Sequence, residues 1–225
     1  MCGRYTLRTR LNELLQAFAV ESQLEREPRF NIAPSQSILT IRNDPMGDRR
    51  ELAILRWGLI PSWADDIRIG NRLINARAET LTTKPSFRSA LKSRRCLVLA
   101  DGFYEWEKSG KAKQPYFIQM ADERPFVFAG LWERWTKSSP AIESCTIITT
   151  TPNVVVADIH DRMPVILAED AAKTWLDRDV DNTELLTSLL VPYPADQMTA
   201  YPVGDIVNSP QHDSADCIQP IKSLF

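Results

Sequence analysis

The stretch CLVLADGFYEW, residues 96–106, decides the fold class. Its apolar run is too short for a helix and ends at a turn that contains Gly102, which is typical of a buried strand. Six further runs are β-like: SILTIR (37–42), ELAILRWG (51–58), PYFIQM (115–120), PFVFAGLW (125–132), SCTIITTT (144–151) and PVIL (164–167). The strands come in succession rather than alternating with helices, which favours an α+β fold over a doubly wound parallel sheet. We therefore predict a mainly antiparallel, barrel-like β core with peripheral helices.

Four helices are predicted outside this core. Residues 9–20 carry apolar side chains at helical spacing behind Thr9, a suitable N-cap. A short helix is predicted at residues 85–91, with Pro85 in its first turn. Two surface helices are expected late in the chain, at residues 168–177 and 182–190.

Length and composition limit the class of protein. The chain has 225 residues, 44% of them hydrophobic and 25% charged, and we expect residues 1–225 to form one domain. We find no apolar run of membrane-spanning length and no signal peptide, so we expect no contact with a membrane. Its four cysteines lack the spacing of a metal site or a disulfide framework, so we expect no metal, no cofactor and a reducing cytosol.

The net charge of −2 is not that of a protein that binds nucleic acid by bulk electrostatics. If DNA is the ligand, the basic residues must be concentrated on one face. The alternative is a solvated surface of mixed charge.

Cys2 is the first candidate for chemistry. Removal of Met1 would leave a free amine and a thiol on one residue, with ordinary pKa values of roughly 8 and 8.5. The amine can form an iminium with an aldehyde, and the thiol can then close a five-membered thiazolidine in an intramolecular step. The alternative is an incidental cysteine near the chain terminus.

Three polar segments supply partners for such a reaction. In LINARAET (73–80), alternation would place Asn75, Arg77 and Glu79 on one side of an extended segment, which is also the pattern of a solvent-facing strand. Glu105 lies between two aromatic residues and is a candidate for a raised pKa, or else an exposed residue on an edge strand. His160 lies between two aspartates and suits proton transfer near neutral pH, although a structural histidine fits the pattern equally.

Two tryptophans bracket the turn in WGLIPSW, residues 57–63. We assign Trp57 to the core. Trp63 is the better surface candidate and is able to stack on a base of single-stranded nucleic acid.

Six motifs occur in an order that strongly resembles the SOS-response-associated peptidase (SRAP) family of abasic-site-processing proteins, and they span nearly the whole chain. They are MCGRYT (1–6), FNIAPSQ (30–36), RWGLIPSW (56–63), INARAET (74–80), ADGFYEW (100–106) and DIHDRMP (158–164). The resemblance implies an SRAP-like fold and autocatalytic removal of Met1. It also implies a thiazolidine crosslink between Cys2 and the ring-opened sugar of an abasic site in single-stranded DNA, which protects the site during the DNA damage response. Lyase-like chemistry is a further possibility.

The same resemblance assigns residues. The catalytic residues would be Cys2, Asn75, Glu105 and His160, with Asn75 orienting the amine or the sugar, Glu105 exchanging protons and His160 assisting ring opening. The residues that bind DNA would be Arg4, Asn31, Pro34, Trp63, Arg77, Thr149 and Arg162. The three arginines among them would bind the phosphates that flank the lesion. We expect a monomer in the cytoplasm that joins the nucleoid when it binds DNA.

Two other functions remain open from the residues. Cys2, His160 and Asn75 resemble the nucleophile, base and orienting amide of an N-terminal-nucleophile peptidase. The arginines and Trp63 would also serve a single-strand binder that performs no chemistry. The acidic pair Asp65 and Asp66 argues against high DNA affinity.

Overall fold

A computed structural model describes residues 2–9, 12, 15–16, 18–22, 24, 26–45, 47, 49–109 and 112–221. All elements, contacts and bonds given below belong to these residues. Within them, no helix is long and apolar enough to cross a membrane.

Five strands close into a barrel. They are β3 (Ser37–Asn43), β4 (Arg50–Trp57), β6 (Arg95–Ala100), β9 (Phe126–Trp135) and β10 (Ile142–Thr150). The order around the barrel is β4-β3-β6-β9-β10, and β10 returns to β4. The closing β10–β4 pair is parallel, whereas the other four pairs are antiparallel. Closure leaves none of these five strands with an unpaired edge in the sheet.

A second, antiparallel sheet of five strands packs against the barrel. It contains β1 (Tyr5–Leu7), β2 (Arg29–Ile32), β7 (Gly102–Ser109), β8 (Ala112–Met120) and β13 (Met198–Pro202), in the order β13-β8-β7-β1-β2. The chain passes from the barrel into this sheet at residue 101, between β6 and β7. β6 and β7, which follow each other in the chain, therefore belong to different sheets.

Short elements complete the structure. β5 (Asn75–Arg77) runs parallel to β10, β11 (Met163–Pro164) pairs with β10, and β12 (Ile166–Leu167) pairs with β9. The helices are α1 (Arg88–Ser93), α2 (Val154–Ala157), α3 (Glu169–Leu176) and α4 (Thr183–Ser188). Five 3₁₀ turns lie at Ile67–Arg72, Ala78–Thr80, Ala195–Gln197, Asp205–Asn208 and Ala215–Ile218.

Aromatic side chains join the two sheets. Tyr5 of β1 makes edge-on contacts with Trp57 of the barrel, at 5.4 Å between ring centroids, and with Phe128, at 6.0 Å. All three rings are fully buried, so β1 is fixed against the barrel by apolar packing. The assignment of Trp57 to the core is confirmed, and its indole N–H donates to the carbonyl of Ile74.

The structure confirms the predicted α+β class and barrel-like core. All seven predicted strand segments are strands, the last split into β11 and β12, and the two late helices are present as α3 and α4. The short helix was misplaced, because it begins at Arg88 and Pro85 precedes it. Asn12, Leu15 and Gln16 are helical, but Leu11 and Leu14 of the predicted 9–20 helix lie outside the described residues.

Candidate active site

Cys2 lies buried beside β5, with no exposed surface. Its backbone carbonyl accepts a hydrogen bond of 2.8 Å from the side-chain amide of Asn75. Burial, and next the negative charge of Glu105, raise the pKa of the Cys2 thiol well above its ordinary value. The thiol is therefore protonated at neutral pH, and its use as a nucleophile requires a proton acceptor nearby.

Asn75 is the first residue of β5, and the parallel pairing of β5 with β10 fixes the position from which its side chain reaches Cys2. In this pairing Asn75 lies opposite Ile147, and the next residue, Ala76, is buried. The amide oxygen Oδ1 of Asn75 is buried and has no hydrogen-bond partner among the described residues. Because a buried acceptor without a donor is unfavourable, this oxygen is available to a ligand group that donates a proton.

Glu105 lies on β7, a central strand between β8 and β1. The alternative of an exposed residue on an edge strand is therefore wrong: Glu105 is 2% exposed. Burial raises its pKa from 4.5 to about 7, and the negative charge of Asp161 adds to the effect. A carboxyl group with this pKa can both accept and donate a proton at neutral pH.

His160 follows α2 and completes the cluster. Its Nε2 atom lies 4.0 Å from a carboxylate oxygen of Glu105. The backbone N–H of Arg162 donates to Nδ1 at 3.0 Å, and a carboxylate oxygen of Asp161 lies 2.9 Å from the same atom. One ring nitrogen cannot serve both at once. The neutral ring accepts from Arg162 and keeps its proton on Nε2, facing Glu105, whereas the protonated ring can donate to Asp161.

Arg162 is held within the protein. Its two Nη atoms donate to the two carboxylate oxygens of Glu79, at 2.6 and 2.9 Å, and one of them also donates to the carbonyl of Thr149 at 2.6 Å. Glu79 does not share the extended segment predicted for it, because β5 ends at Arg77 and a 3₁₀ turn follows. The Glu79 carboxylate accepts two parallel hydrogen bonds from the Arg162 guanidinium, the same bonds that a phosphate would accept.

Arg4 and Asn31 form a second internal network. The Arg4 guanidinium donates to the side-chain oxygen of Asn31 at 2.9 Å and to the carbonyls of Val207 and Asn208. Asn31 is fully buried, and its amide donates to three carbonyls of residues 207–212. Asn31 thus holds residues 207–212 against β2, and Arg4 holds Val207 and Asn208 against the residues that precede β1.

The other predicted DNA contacts differ in exposure. Arg77 is exposed, Trp63 is 54% exposed and Pro34 is half-buried, whereas the Thr149 side chain is buried. The neighbouring acidic pair is partly neutralised, because Asp65 forms an ion pair with Lys137 at 2.7 Å and Asp66 caps the 3₁₀ turn that contains Arg68. The acidic charge beside Trp63 is smaller than the sequence suggests.

Sequence reasoning missed Asp101. This residue is fully buried at the point where the chain crosses between the sheets, and its carboxylate accepts hydrogen bonds from Thr6, Arg8 and Thr9. An Asp before a Gly is typical of any turn, so the sequence carried no signal that distinguished it.

Fold and site together define an α+β barrel protein with a candidate nucleophile at its second residue. Residues 1–210 match the model of the SOS response associated peptidase (SRAP) family, and the chain belongs to that family.

Similar proteins cover nearly the whole chain. Abasic site processing protein YoqW of Bacillus subtilis is 49% identical over 97% of this chain and 99% of its own length. Abasic site processing protein YedK of Escherichia coli is 31% identical over 98% of this chain and 100% of its own length. A crystal structure of a protein from Bacteroides thetaiotaomicron superposes with a TM-score of 0.87, at 27% identity, over 98% of this chain and 100% of that one.

Proposed function

We propose that this protein processes abasic sites in single-stranded DNA by forming a thiazolidine crosslink through Cys2. The observation that carries the proposal is the cluster at the second residue: Asn75 bonds to the Cys2 backbone, the charge of Glu105 acts on its thiol, and His160 lies 4.0 Å from Glu105. The names of the relatives, abasic site processing proteins, supply the substrate class.

The chemistry balances with one water released. Removal of Met1 frees the amine of Cys2, which adds to the aldehyde carbon of the ring-opened sugar and loses water to give an iminium. The thiol sulfur then bonds to the iminium carbon, and its proton is transferred to the base that assists it, while the ring nitrogen becomes neutral. Glu105, with a pKa of about 7, suits both proton transfers, and His160 suits the opening of the sugar ring.

The DNA surface is proposed from exposed residues. Arg77 and Trp63 are free to meet a phosphate and a base, with Pro34 beside them. Arg162 donates to Glu79 and to the carbonyl of Thr149, so it would contact a phosphate only by exchanging one anionic partner for another. Arg4 and Asn31 would act by holding the surrounding loops. We propose a cytoplasmic monomer, bound at the nucleoid when it meets a lesion.

A peptidase limited to Met1 removal is compatible with this chemistry, and a general peptidase is the second candidate. Burial and the raised pKa of the Cys2 thiol apply to both functions, because each needs a nearby group to accept the thiol proton. A covalent adduct with an abasic strand separates them.

The test is incubation of the wild-type protein with a single-stranded oligonucleotide that holds one abasic site. We expect intact mass spectrometry to show loss of Met1 and then the added mass of one oligonucleotide minus one water, stable to heating. The matched oligonucleotide without a lesion should give only salt-sensitive binding. A complex with the abasic strand that dissociates on heating would support a binder, and cleavage of unrelated peptides without any adduct would support a peptidase.

Arg77→Ala is expected to weaken binding of unmodified single-stranded DNA with little effect on stability, because the side chain is exposed and its charge acts on Glu79 only as the last of several effects on that carboxylate. Loss of one phosphate contact should lower the slope of log K against log salt by about 0.7. Binding titrations at several salt concentrations, with strands of different sequence, measure this slope. Arg88→Ala, an exposed arginine at the start of α1, is the matched control. An unchanged slope, or a loss confined to particular bases, would remove Arg77 from the phosphate contacts.

A further inference from the structure

The N-terminal segment, residues 2–9, carries Cys2 and contains one short strand, β1. β1 has three residues, and its ladder with β7 contains two pairs, Tyr5 with Phe103 and Thr6 with Gly102. One additional bond runs from the N–H of Tyr104 to the carbonyl of Arg4. β1 also pairs with β2, at Tyr5 with Ile32 and at Leu7 with Arg29, and the register between these two pairs is irregular. Both ladders are short, and a slip of one residue would turn each side chain to the opposite face.

One buried carboxylate binds three of the four residues 6–9, at the C-terminal end of this segment, through their side chains or N–H groups. Asp101 is fully buried, and it accepts from the hydroxyl of Thr6 at 2.6 Å, from the N–H and hydroxyl of Thr9 at 2.7 and 2.9 Å, and from the N–H and Nε of Arg8. Its own N–H donates to the carbonyl of Thr6 at 3.0 Å. A buried carboxylate is unfavourable unless donors surround it, and here all the side-chain donors come from residues 6–9. Asp101 therefore favours one placement of residues 6–9, in addition to the packing of Tyr5 against the barrel.

The position of Asp101 links the segment to Glu105. Asp101 directly precedes β7, which carries Glu105 four residues later. Because β1 is antiparallel to β7, the chain followed back from Thr6 toward Cys2 runs alongside β7 in the direction of Glu105. Fixing residues 6–9 at the start of β7 thus sets where Cys2 lies along the same strand. We propose that Asp101 is a positioning residue that holds Cys2 against Glu105 and Asn75, a role that rests on the proposed function for its catalytic consequence.

Asp213 offers a matched control. Its carboxylate accepts from the N–H groups of Phe30 and Asn31, at 2.5 and 2.8 Å, and pairs with Arg29. It thus fastens β2 as Asp101 fastens β1, but it makes no contact with residues 2–9 among the described bonds. Asp213→Asn weakens a similar set of bonds, but at β2 and not at the segment that carries Cys2.

The first measurement needs neither DNA nor Met1 removal. Native protein is treated with iodoacetamide, and alkylation of each cysteine is followed by peptide mass spectrometry. Asp101→Asn should speed alkylation of Cys2 by about tenfold or more, the effect of losing hydrogen bonds to a charged group. Cys96 and Cys145, buried in the barrel, report global unfolding and should stay as protected as in the wild type. Asp213→Asn should leave Cys2 protected.

The second measurement is the first-order rate of capture at saturating abasic oligonucleotide. Asp101→Asn should lower it by about a hundredfold, because a displacement near 1 Å has effects of that size, with the dissociation constant for unmodified strand unchanged. Thr9→Val, which removes one donor and leaves Asp101 in place, should shift both readouts in the same direction but less. This second variant keeps the test valid if Asp101→Asn fails to fold.

The outcomes are separable. Unchanged Cys2 alkylation in Asp101→Asn, parallel exposure of Cys96 and Cys145, or equal capture rates for the Asp101 and Asp213 variants would overturn the positioning role. Absence of any adduct with the wild-type protein would overturn the proposed function, and alkylation would still decide whether Asp101 holds Cys2.

Discussion

Cys2→Ala is expected to abolish the heat-resistant adduct with abasic single-stranded DNA while retaining salt-sensitive binding of the same strand. The variant keeps an amine at residue 2 once Met1 is removed but has no sulfur, so an imine can form and reverse, whereas the ring cannot close. Because ring closure is intramolecular, with effective molarities of order 10⁵ M or more, no other thiol can substitute for it. Denaturing gel electrophoresis after heating measures the loss, and a filter-binding titration measures the retained affinity.

Two further variants sharpen this result. Cys2→Ser retains a nucleophile of similar shape and should give an adduct that is lost on heating, because the oxygen analogue of the ring hydrolyses more readily. Cys217→Ala removes a different buried thiol and should form the adduct at the wild-type rate. A heat-stable adduct with Cys2→Ala would exclude the thiazolidine mechanism, and its absence with Cys217→Ala would show that the loss is not specific to Cys2.

The strands of the barrel could be predicted from sequence because they are long apolar runs. β6 and β9, for example, are buried along nearly their whole length, so they appear in the sequence as continuous apolar runs too short for a helix. β1, β2 and β5 have three or four residues each, too few for a pattern. β1 and β5 pair with the longer strands β7 and β10, and β2 pairs with β1. The parallel closure of β10 onto β4 brings together residues almost ninety positions apart, and no local signal specifies it.

The site was predicted as a set of residues, but its electrostatics depends on tertiary packing. The motif around Glu105 named the residue, whereas its pKa follows from the central position of β7, which the sequence does not reveal. Likewise, the sequence offers Arg162 as a cation for a phosphate, whereas in the structure Arg162 forms an ion pair with Glu79. Asp101 was missed for the same reason: its importance comes from the donors of residues 6–9, which lie more than ninety positions away in the chain.

Glu105→Gln is expected to change stability and capture in opposite directions. In the wild type, burial raises the pKa of Glu105 from 4.5 to about 7. Between these two pH values the folded protein therefore keeps a proton on Glu105 that the unfolded chain has already lost. Below pH 4.5 both states are protonated and Glu105 costs the folded state nothing. As the pH rises toward 7 the wild type loses stability, by at most about 3 kcal/mol in total, and above 7 the full cost remains. Gln bears no charge, so this variant should be more stable than the wild type at pH 8, and the difference should vanish near pH 4.

Urea unfolding of both proteins at several pH values measures this difference, because the other titrating groups contribute equally to both and cancel. Glu107→Gln, a half-buried carboxyl two residues further along β7, is the matched control and should show no such gain. A Glu105→Gln protein that is less stable than the wild type at pH 8 would mean that the carboxylate is stabilised in the folded state, and the raised pKa would be wrong.

Capture of the abasic strand should respond in the opposite sense. In the wild type the rate should rise as the pH increases through about 7, where Glu105 becomes a carboxylate able to accept the proton of the Cys2 thiol. Gln cannot accept it, so the variant should be slower by roughly 10²- to 10⁴-fold and should lose this inflection. Single-turnover rates from pH 5.5 to 8.5 separate the two proteins. A variant that is more stable at pH 8 but captures the strand at the wild-type rate would leave the buried charge intact as a structural finding and would remove Glu105 from the chemistry.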